Sequence, residues 1–171
     1  MDSKKNKIKQ WSMIVKTMLL SFKPEWFEKI RDGRKIFEYR NSFANEEVMA
    51  YMYVSQPLKQ IVGKIHLGKR IDINEWRDTY SEQPEVIERI EDYLSRHKYA
   101  MPILSFQMTN GITLDELREF NKSFVCPQMY YYLDNYPELF EYVKERAYDI
   151  GEPIEHDFSQ INVDDICRKV Y

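Results

Sequence analysis

Three charged side chains at fixed spacing make residues 33–40 the part of the chain best suited to chemistry. The segment follows a G-x-K-x-x-E-x-R pattern whose charged positions are Lys35, Glu38 and Arg40. Arg40 offers a planar fork of donors that suits a phosphate or a base edge, and Lys35 offers a mobile point charge. Glu38 accepts hydrogen bonds from amino groups. Together these groups are suited to reading a nucleotide.

The spacing of the motif also permits a purely structural interpretation. Side chains alternate along a regular strand, so Glu38 and Arg40 share one face while Lys35 lies on the other. Lys35 and Glu38 therefore meet only if the chain bends just after Gly33, which a glycine permits. The alternative is that Glu38 and Arg40 pair with each other or with a neighbouring strand and hold the sheet together. Spacing alone favours this alternative.

Short strands with one early helix are predicted around the motif. Residues 13–22 are typical of a strand buried on both faces. A helix follows over about residues 24–32, with Trp26, Phe27 and Ile30 on one face and Gly33 at its end. Further strands are expected at 35–40, 48–55 and 61–69, and this alternation predicts a small barrel.

The second half of the chain is more helical. One helix is predicted over residues 84–97, and two others are predicted to begin at Thr113 and at Pro137. A buried strand is expected over 103–108, ended by Asn110-Gly111. Residues 126–133 fit either a strand or a short turn of helix.

The motif and its flanking segments resemble the ASCH family of the PUA-like superfamily. The resemblance includes LLSFKPEWFEKI before the motif and VMAYMYVSQPLKQIVGKI after it, and it extends more loosely to the strand near Ile103 and to PQMYYYL. It implies an α+β fold, with a PUA-like β-barrel of about five to six mixed strands and flanking helices. It also implies a cleft lined by the motif and a role in RNA binding. With the resemblance, a ligand site is favoured over the purely structural interpretation of the motif.

The resemblance therefore implies that RNA or a nucleotide is the partner, bound in this cleft. Tyr130 to Tyr132 either stack on bases or divide between core and surface. The predicted ligand-binding residues are Lys23, Lys35, Glu38, Arg40, Ser55, Gln128 and Tyr130.

An enzymatic alternative rests on the same residues. Some small relatives are N-acetylcytidine amidohydrolases, in which a lysine matching Lys35 acts with a threonine three positions later and a downstream glutamate. Glu38 stands at the threonine position, so the hydroxyl nucleophile is absent, but Lys35 and Glu38 remain as a general acid and base pair. Some ASCH proteins are also thought to cleave RNA. Whether this chain is an enzyme or a binding protein is left open.

The charge of the chain is divided unevenly along its 171 residues. Residues 1–70 carry 15 basic and 7 acidic side chains, residues 71–171 carry 10 and 21, and the formal net charge is −3. The cationic part coincides with the motif region. The near-neutral total thus excludes a wholly basic surface but not an RNA partner.

Domain organisation and location follow from composition. We expect a flexible basic segment at 1–12, one ASCH/PUA-like domain at 13–150, and an acidic extension at 151–171 that is either docked or loose. No apolar stretch is long enough for a membrane span and no signal-peptide cleavage site is present, which predicts a cytoplasmic protein without a membrane partner. The spacing of Cys126, Cys167 and the histidines supports no metal site or disulfide, and no motif indicates a cofactor.

Overall fold

A computed structural model describes residues 15–171 of the chain. The predicted flexible segment at 1–12, and the first two residues of the predicted first strand, lie outside the described residues. The described part forms eight strands and five α-helices. The strands are β1 Lys16–Phe22, β2 Phe37–Arg40, β3 Val48–Val54, β4 Gln60–Leu67, β5 Ile71–Asp72, β6 Tyr99–Thr113, β7 Tyr130–Tyr132 and β8 Ile154–Glu155. The helices are α1 Pro24–Arg31, α2 Ile73–Thr79, α3 Pro84–Leu94, α4 Leu114–Phe120 and α5 Pro137–Arg146.

All eight strands join one mixed sheet in which β6 is the organising strand. The main path runs β2-β6-β4-β3-β1-β7, and the short strands β5 and β8 also pair with β6. Only β1 and β3 are parallel among these pairs. Residues 99–102 of β6 pair with β2, whereas β6 from Ile103 onward pairs with β4 through a register that shifts twice. A long strand that changes partner and carries bulges bends the sheet, so the sheet curls.

Three apolar clusters hold the helices against the curled sheet. Helix α1 buries Phe27 and Ile30 among residues of β1, β3, β4 and β6. Helices α4 and α5 cover a second cluster that includes Leu19 of β1. In the third cluster, Trp76 of α2 and Ile90 of α3 pack with Phe37. Strand β2 therefore lies between the part of the sheet that α1 covers and the part that α3 covers.

Two differences between the predicted and the observed strand bounds matter most for the site and the sheet. The predicted strand end at Asn110-Gly111 is wrong, because β6 continues to Thr113 while it pairs with Gln60 and Ile61 of β4. Pairing along a ladder outweighs the local preference of this dipeptide for a turn. The predicted strand over residues 35–40 begins only at Phe37.

Other elements are not indicated by the sequence patterns, or are given two alternatives by them. Strand β5 and helix α2 were not predicted, and α2 begins at a cap where the Asp72 carboxylate accepts from the Asn74 backbone N–H. In residues 126–133 the strand alternative is observed for Tyr130–Tyr132, which pair with β1. Of the helices formed by residues 15–171, none combines the length and apolar character needed to cross a membrane.

Candidate functional site

The chain between α1 and β2 bends, and this bend decides where Lys35 points. Gly33 adopts φ 81°, a left-handed conformation that glycine accepts without strain. The Lys35 backbone N–H then donates to the Lys29 carbonyl at 2.9 Å, which ties the segment to the end of α1. Because β2 begins only at Phe37, Lys35 does not obey strand alternation. The bend required for Lys35 and Glu38 to meet is therefore present.

Glu38 is the centre of a charged network. Its Oε1 accepts from Arg40 Nε at 2.7 Å, and its Oε2 lies 3.4 Å from Lys35 Nζ. Lys35 Nζ donates to the Phe37 carbonyl at 2.7 Å, and Arg40 Nη2 donates to the Ser21 carbonyl at 2.9 Å. Glu38 Oε2 has no hydrogen-bond partner among the described residues. The Glu38–Arg40 pair of the structural alternative thus exists, but within a network in which the second, buried oxygen of Glu38 has only its ion-pair contact with Lys35.

The network is buried and carries an excess positive charge. Lys35 and Glu38 are only 7% and 5% exposed, and two cations share one carboxylate. Burial lowers the pKa of Lys35 from its ordinary value, and the Glu38 carboxylate opposes this shift only in part. A further negative group beside Lys35 would therefore be stabilised electrostatically.

Aromatic rings flank the Lys35 ammonium. Its nitrogen lies 5.1 Å from the centre of the Trp26 ring and 5.2 Å from that of Tyr39, while Lys29 Nζ lies 4.6 Å from Trp26. These are cation–π distances. Trp26 falls at the edge of the apolar face of α1 and is 37% exposed, so it forms a rim instead of joining the core.

A cavity of about 340 Å³, here called the motif cavity, opens beside this network. Its walls come from α1 and the segment after it, from β2, from residues 93, 96 and 97 at and just after the end of α3, and from residues 165 and 168–171. The charged lining residues are Lys29, Arg34, Lys35, Arg96, Arg168 and Lys169, against Glu38 and Asp165. Arg34, Arg96 and Lys169 also pair with carboxylates that lie outside the lining, and Arg168 pairs with Asp165. The excess of cations favours an anionic ligand.

Burial shifts the pKa of three titratable rings in the motif cavity, those of Tyr39, Tyr93 and His97, toward the uncharged form. Burial, followed by the nearby Arg96 guanidinium, lowers the pKa of His97. Burial raises the pKa of Tyr39 and raises the pKa of Tyr93 to about 12. The positive field of the cavity therefore comes from lysine and arginine side chains.

The other predicted ligand residues surround the end of β1. Lys23 is the residue before α1, and the Ser55 backbone N–H donates to the Phe22 carbonyl at 3.0 Å. Gln128 lies in the segment that holds Ser21, whose hydroxyl donates to the Pro127 carbonyl at 2.5 Å. Tyr130 is half-buried in β7 opposite Leu20.

The seven predicted residues thus form two groups. Lys35 and Glu38 line the motif cavity, whereas Lys23, Ser55, Gln128 and Tyr130 do not. Arg40 stands between the groups, since it holds both Glu38 and the Ser21 carbonyl, and it is also outside the lining. Ligand contact by the four residues at the end of β1 stays a prediction.

Sequence reasoning missed the wall contributed by Tyr93, Arg96 and His97. These three residues reach the motif only through tertiary contacts. Strand β2 pairs with the start of β6, and the Lys98 backbone N–H donates to the Arg40 carbonyl at 3.2 Å. This pairing places the end of α3 beside residues some 60 positions earlier in the chain. No local pattern in residues 93–98 signals that contact.

Within residues 15–171, no group of three or more histidine, cysteine, aspartate or glutamate side chains is arranged to hold a metal ion.

A curled mixed sheet with α1 packed across it, and a buried charged network beside β2, define an α+β protein of the PUA-like class. The model of the ASCH domain family matches residues 20–149, and the chain belongs to this family. The resemblance predicted from the motif is thereby confirmed. A comparison with curated proteins gave no match.

Solved structures support the fold assignment. The chain is similar to a serine-to-alanine variant of ZmASCH from Zymomonas mobilis, with a TM-score of 0.58 and 22% identity over 78% of this chain and 97% of that one. A tyrosine-to-phenylalanine variant gives a TM-score of 0.56 and 21% identity over 78% and 99% of the two chains. ASCH from the same organism gives 0.51 and 24% over 74% and 94%. These likenesses confirm the predicted α+β, PUA-like fold.

Proposed function

We propose that this protein binds RNA or a nucleotide in the motif cavity. The observation that carries the proposal is the buried network at the cavity wall, in which Lys35 and Arg40 together outnumber the single carboxylate of Glu38. Burying such a network costs desolvation energy, and well-packed apolar residues hold a fold at least as well. A wall built in this way is better explained by ligand recognition than by stability.

The lining of the motif cavity offers a complementary group for each part of a nucleotide. Lys29, Arg34 and Arg96 are partly exposed cations that suit a phosphate. Trp26 offers a ring face on which a base can stack. Glu38 lines the cavity and carries a carboxylate, the acceptor that suits a base amino group.

The rim cations supply the first test. The double variant Lys29→Ala/Arg96→Ala removes two partly exposed charges and leaves the buried network intact. We expect it to weaken binding of a labelled single-stranded RNA pool by about 100-fold or more, since each of the two lost charge-assisted hydrogen bonds contributes roughly 1.5–3 kcal/mol. The slope of log affinity against log salt should fall by about 0.7 for each lost phosphate contact. Fluorescence anisotropy over a salt series measures both quantities.

A matched control distinguishes the effect of losing cations from the motif cavity from the effect of losing the same positive charge elsewhere on the protein. Lys122→Ala/Lys144→Ala removes the same charge from exposed positions beside α4 and in α5, outside the lining of the motif cavity. We expect this variant to retain most of the wild-type affinity and salt slope. Equal losses in the two double variants would contradict a site in the motif cavity.

Hydrolysis is a second candidate function, and the state of Lys35 favours it. Burial lowers the pKa of the Lys35 amine, which brings it closer to the range of a general acid and base. For an acylated cytidine, water would add to the acyl carbonyl while Glu38 accepts its proton. The amide C–N bond would then break as Lys35 donates a proton to the leaving amine, giving a carboxylic acid and cytidine.

Substrate turnover distinguishes this candidate from binding alone. Wild-type protein is incubated with N-acetylcytidine and, separately, with end-labelled RNA, and the products are separated by chromatography. A hydrolase releases cytidine or shortened RNA, and Lys35→Met abolishes that product. A binding protein leaves both compounds intact under conditions where anisotropy shows the RNA to be bound.

A further inference from the structure

Residues 163–171, here called the strap, lie across one side of the motif cavity. They follow the part of the chain matched by the ASCH family, which ends at residue 149. Asp165 and residues 168–171 line the cavity, so the strap is one of its walls.

The strap is anchored on the side of α3. Arg89 donates to the carbonyls of Val163 at 2.7 Å and Ile166 at 3.1 Å. The Tyr93 hydroxyl donates to the Arg168 carbonyl at 2.7 Å. Ile166 is fully buried in the cluster formed by α2, α3 and β2. Two charge-assisted hydrogen bonds and a buried aliphatic side chain hold the strap in place.

The strap also reaches the opposite wall. The Cys167 backbone N–H donates to the Tyr39 hydroxyl of β2 at 2.9 Å. Arg34, in the bend between α1 and β2, donates to the Tyr171 carbonyl. The strap therefore spans the cavity from α3 to the motif instead of lying along one edge.

A second cavity of about 550 Å³ lies against the strap. Its own lining includes Gly33, His156 and Asp157, which do not line the motif cavity. The lining residues common to both cavities are Arg34, Ile36, Asp165, Arg168, Lys169, Val170 and Tyr171. Most of these shared residues belong to the strap. The strap is thus the partition between two adjoining spaces.

We infer that the strap divides one longer groove into two cavities and thereby restricts the motif cavity to a single nucleotide or the terminal nucleotide of a strand. This inference rests on the proposed function. An internal nucleotide has chain leaving it in two directions, and the strap occupies one of those exits. The volume of about 340 Å³ is at the small end of the range of roughly 300–1,000 Å³ for small-molecule sites.

Closing an RNA into a circle removes its ends and tests the inference on the wild-type chain. A short labelled single-stranded RNA is compared with the same sequence in circular form, and an equimolar mixture of nucleoside monophosphates is used as competitor. We expect the linear RNA to bind at least about tenfold more tightly than the circle, and the monophosphates to displace it. Equal affinity for linear and circular RNA overturns the inference and leaves RNA binding established. Absence of binding by every probe overturns the proposed function itself.

A loosened strap supplies the second measurement. Arg89→Ala/Ile166→Ala removes anchors that do not line the motif cavity, and limited trypsin digestion at Arg168 and Lys169 reports the release of the strap. We expect this variant to bind linear and circular RNA within about twofold of each other. Retention of the wild-type preference in a protein whose strap is released overturns the inference.

The control pairs a surface arginine with a buried aliphatic residue in α5. Arg146→Ala/Val143→Ala likewise truncates one arginine and one buried aliphatic side chain, and neither residue lines the motif cavity. We expect it to keep the wild-type preference for linear RNA. Loss of that preference in the control would assign the effect to general destabilisation and overturn the inference.

Discussion

Replacing Glu38 with glutamine is expected to lower the free energy of unfolding by about 3–5 kcal/mol, because it leaves the buried Lys35 ammonium and the partly buried Arg40 guanidinium without their shared carboxylate. Glutamine has nearly the shape of glutamate, so no cavity is created. The Lys35 ammonium then faces the Arg40 guanidinium without the anion that lies 3.4 Å and 2.7 Å from them. Urea denaturation at pH 7 measures the loss.

Alkaline pH should reduce this loss. Burial already lowers the pKa of Lys35, and removal of Glu38 eliminates the group that most strongly raises it. A base whose folded-state pKa lies below its unfolded value binds fewer protons when folded, so stability rises with pH up to the unfolded pKa. The deficit of Glu38→Gln relative to wild type should therefore shrink between pH 7 and about 10. A deficit that is independent of pH would contradict a charged origin.

Lys35→Met is the matched comparison for the same network. It leaves Glu38 paired with Arg40 and removes the ammonium that burial disfavours. We expect its stability to lie within about 1.5 kcal/mol of wild type, since the methionine also occupies similar volume. A loss as large as that of Glu38→Gln would show that Lys35 holds the fold together.

Replacing the whole network with apolar residues should separate stability from binding. In Lys35→Met/Glu38→Leu/Arg40→Met no buried charge is left unpaired, and exchanges of this kind are neutral or stabilising by about 1–4 kcal/mol. We expect the variant to fold, with an unfolding free energy at or above that of wild type. Its affinity for single-stranded RNA should fall by a factor of about 100 or more, because groups at the centre of a buried site each contribute 2 kcal/mol or more.

Two outcomes would contradict this expectation. Loss of folding would support the structural alternative, in which Glu38 and Arg40 serve the sheet. Wild-type RNA affinity in a folded variant would place the ligand elsewhere. The residues around the end of β1, including Lys23 and Ser55, would then be the next to test.

Local patterns predicted much of the fold. Helix α1 begins at Pro24 and the turn at Gly33 has positive φ, as the sequence indicated. The strands over 48–55 and 61–69 are observed as β3 and β4 with ends displaced by one or two residues. Such elements can be predicted from sequence because hydrophobic periodicity, proline and glycine act within a few residues.

The prediction failed where distant pairing overrides local preference. Asn110-Gly111 stays within β6 because β4 lies alongside it. The meeting of Lys35 with Glu38 depends on the exact start of β2, which pairing with β6 determines. Element boundaries of this kind depend on neighbouring strands that a local window does not contain.

The sequence by itself indicated the family, the charge asymmetry and the three charged residues that form the buried network, since each is apparent from residue types at short spacing. Only the tertiary structure decided that Lys35 and Glu38 line a cavity, while Arg40 lies outside the lining and donates a hydrogen bond to Glu38. It also decided that the residues after 151 dock, with Ile166 buried and the strap across that cavity. The physical reason is that burial and charge pairing depend on contacts between residues far apart in the chain, and only folding brings those residues together.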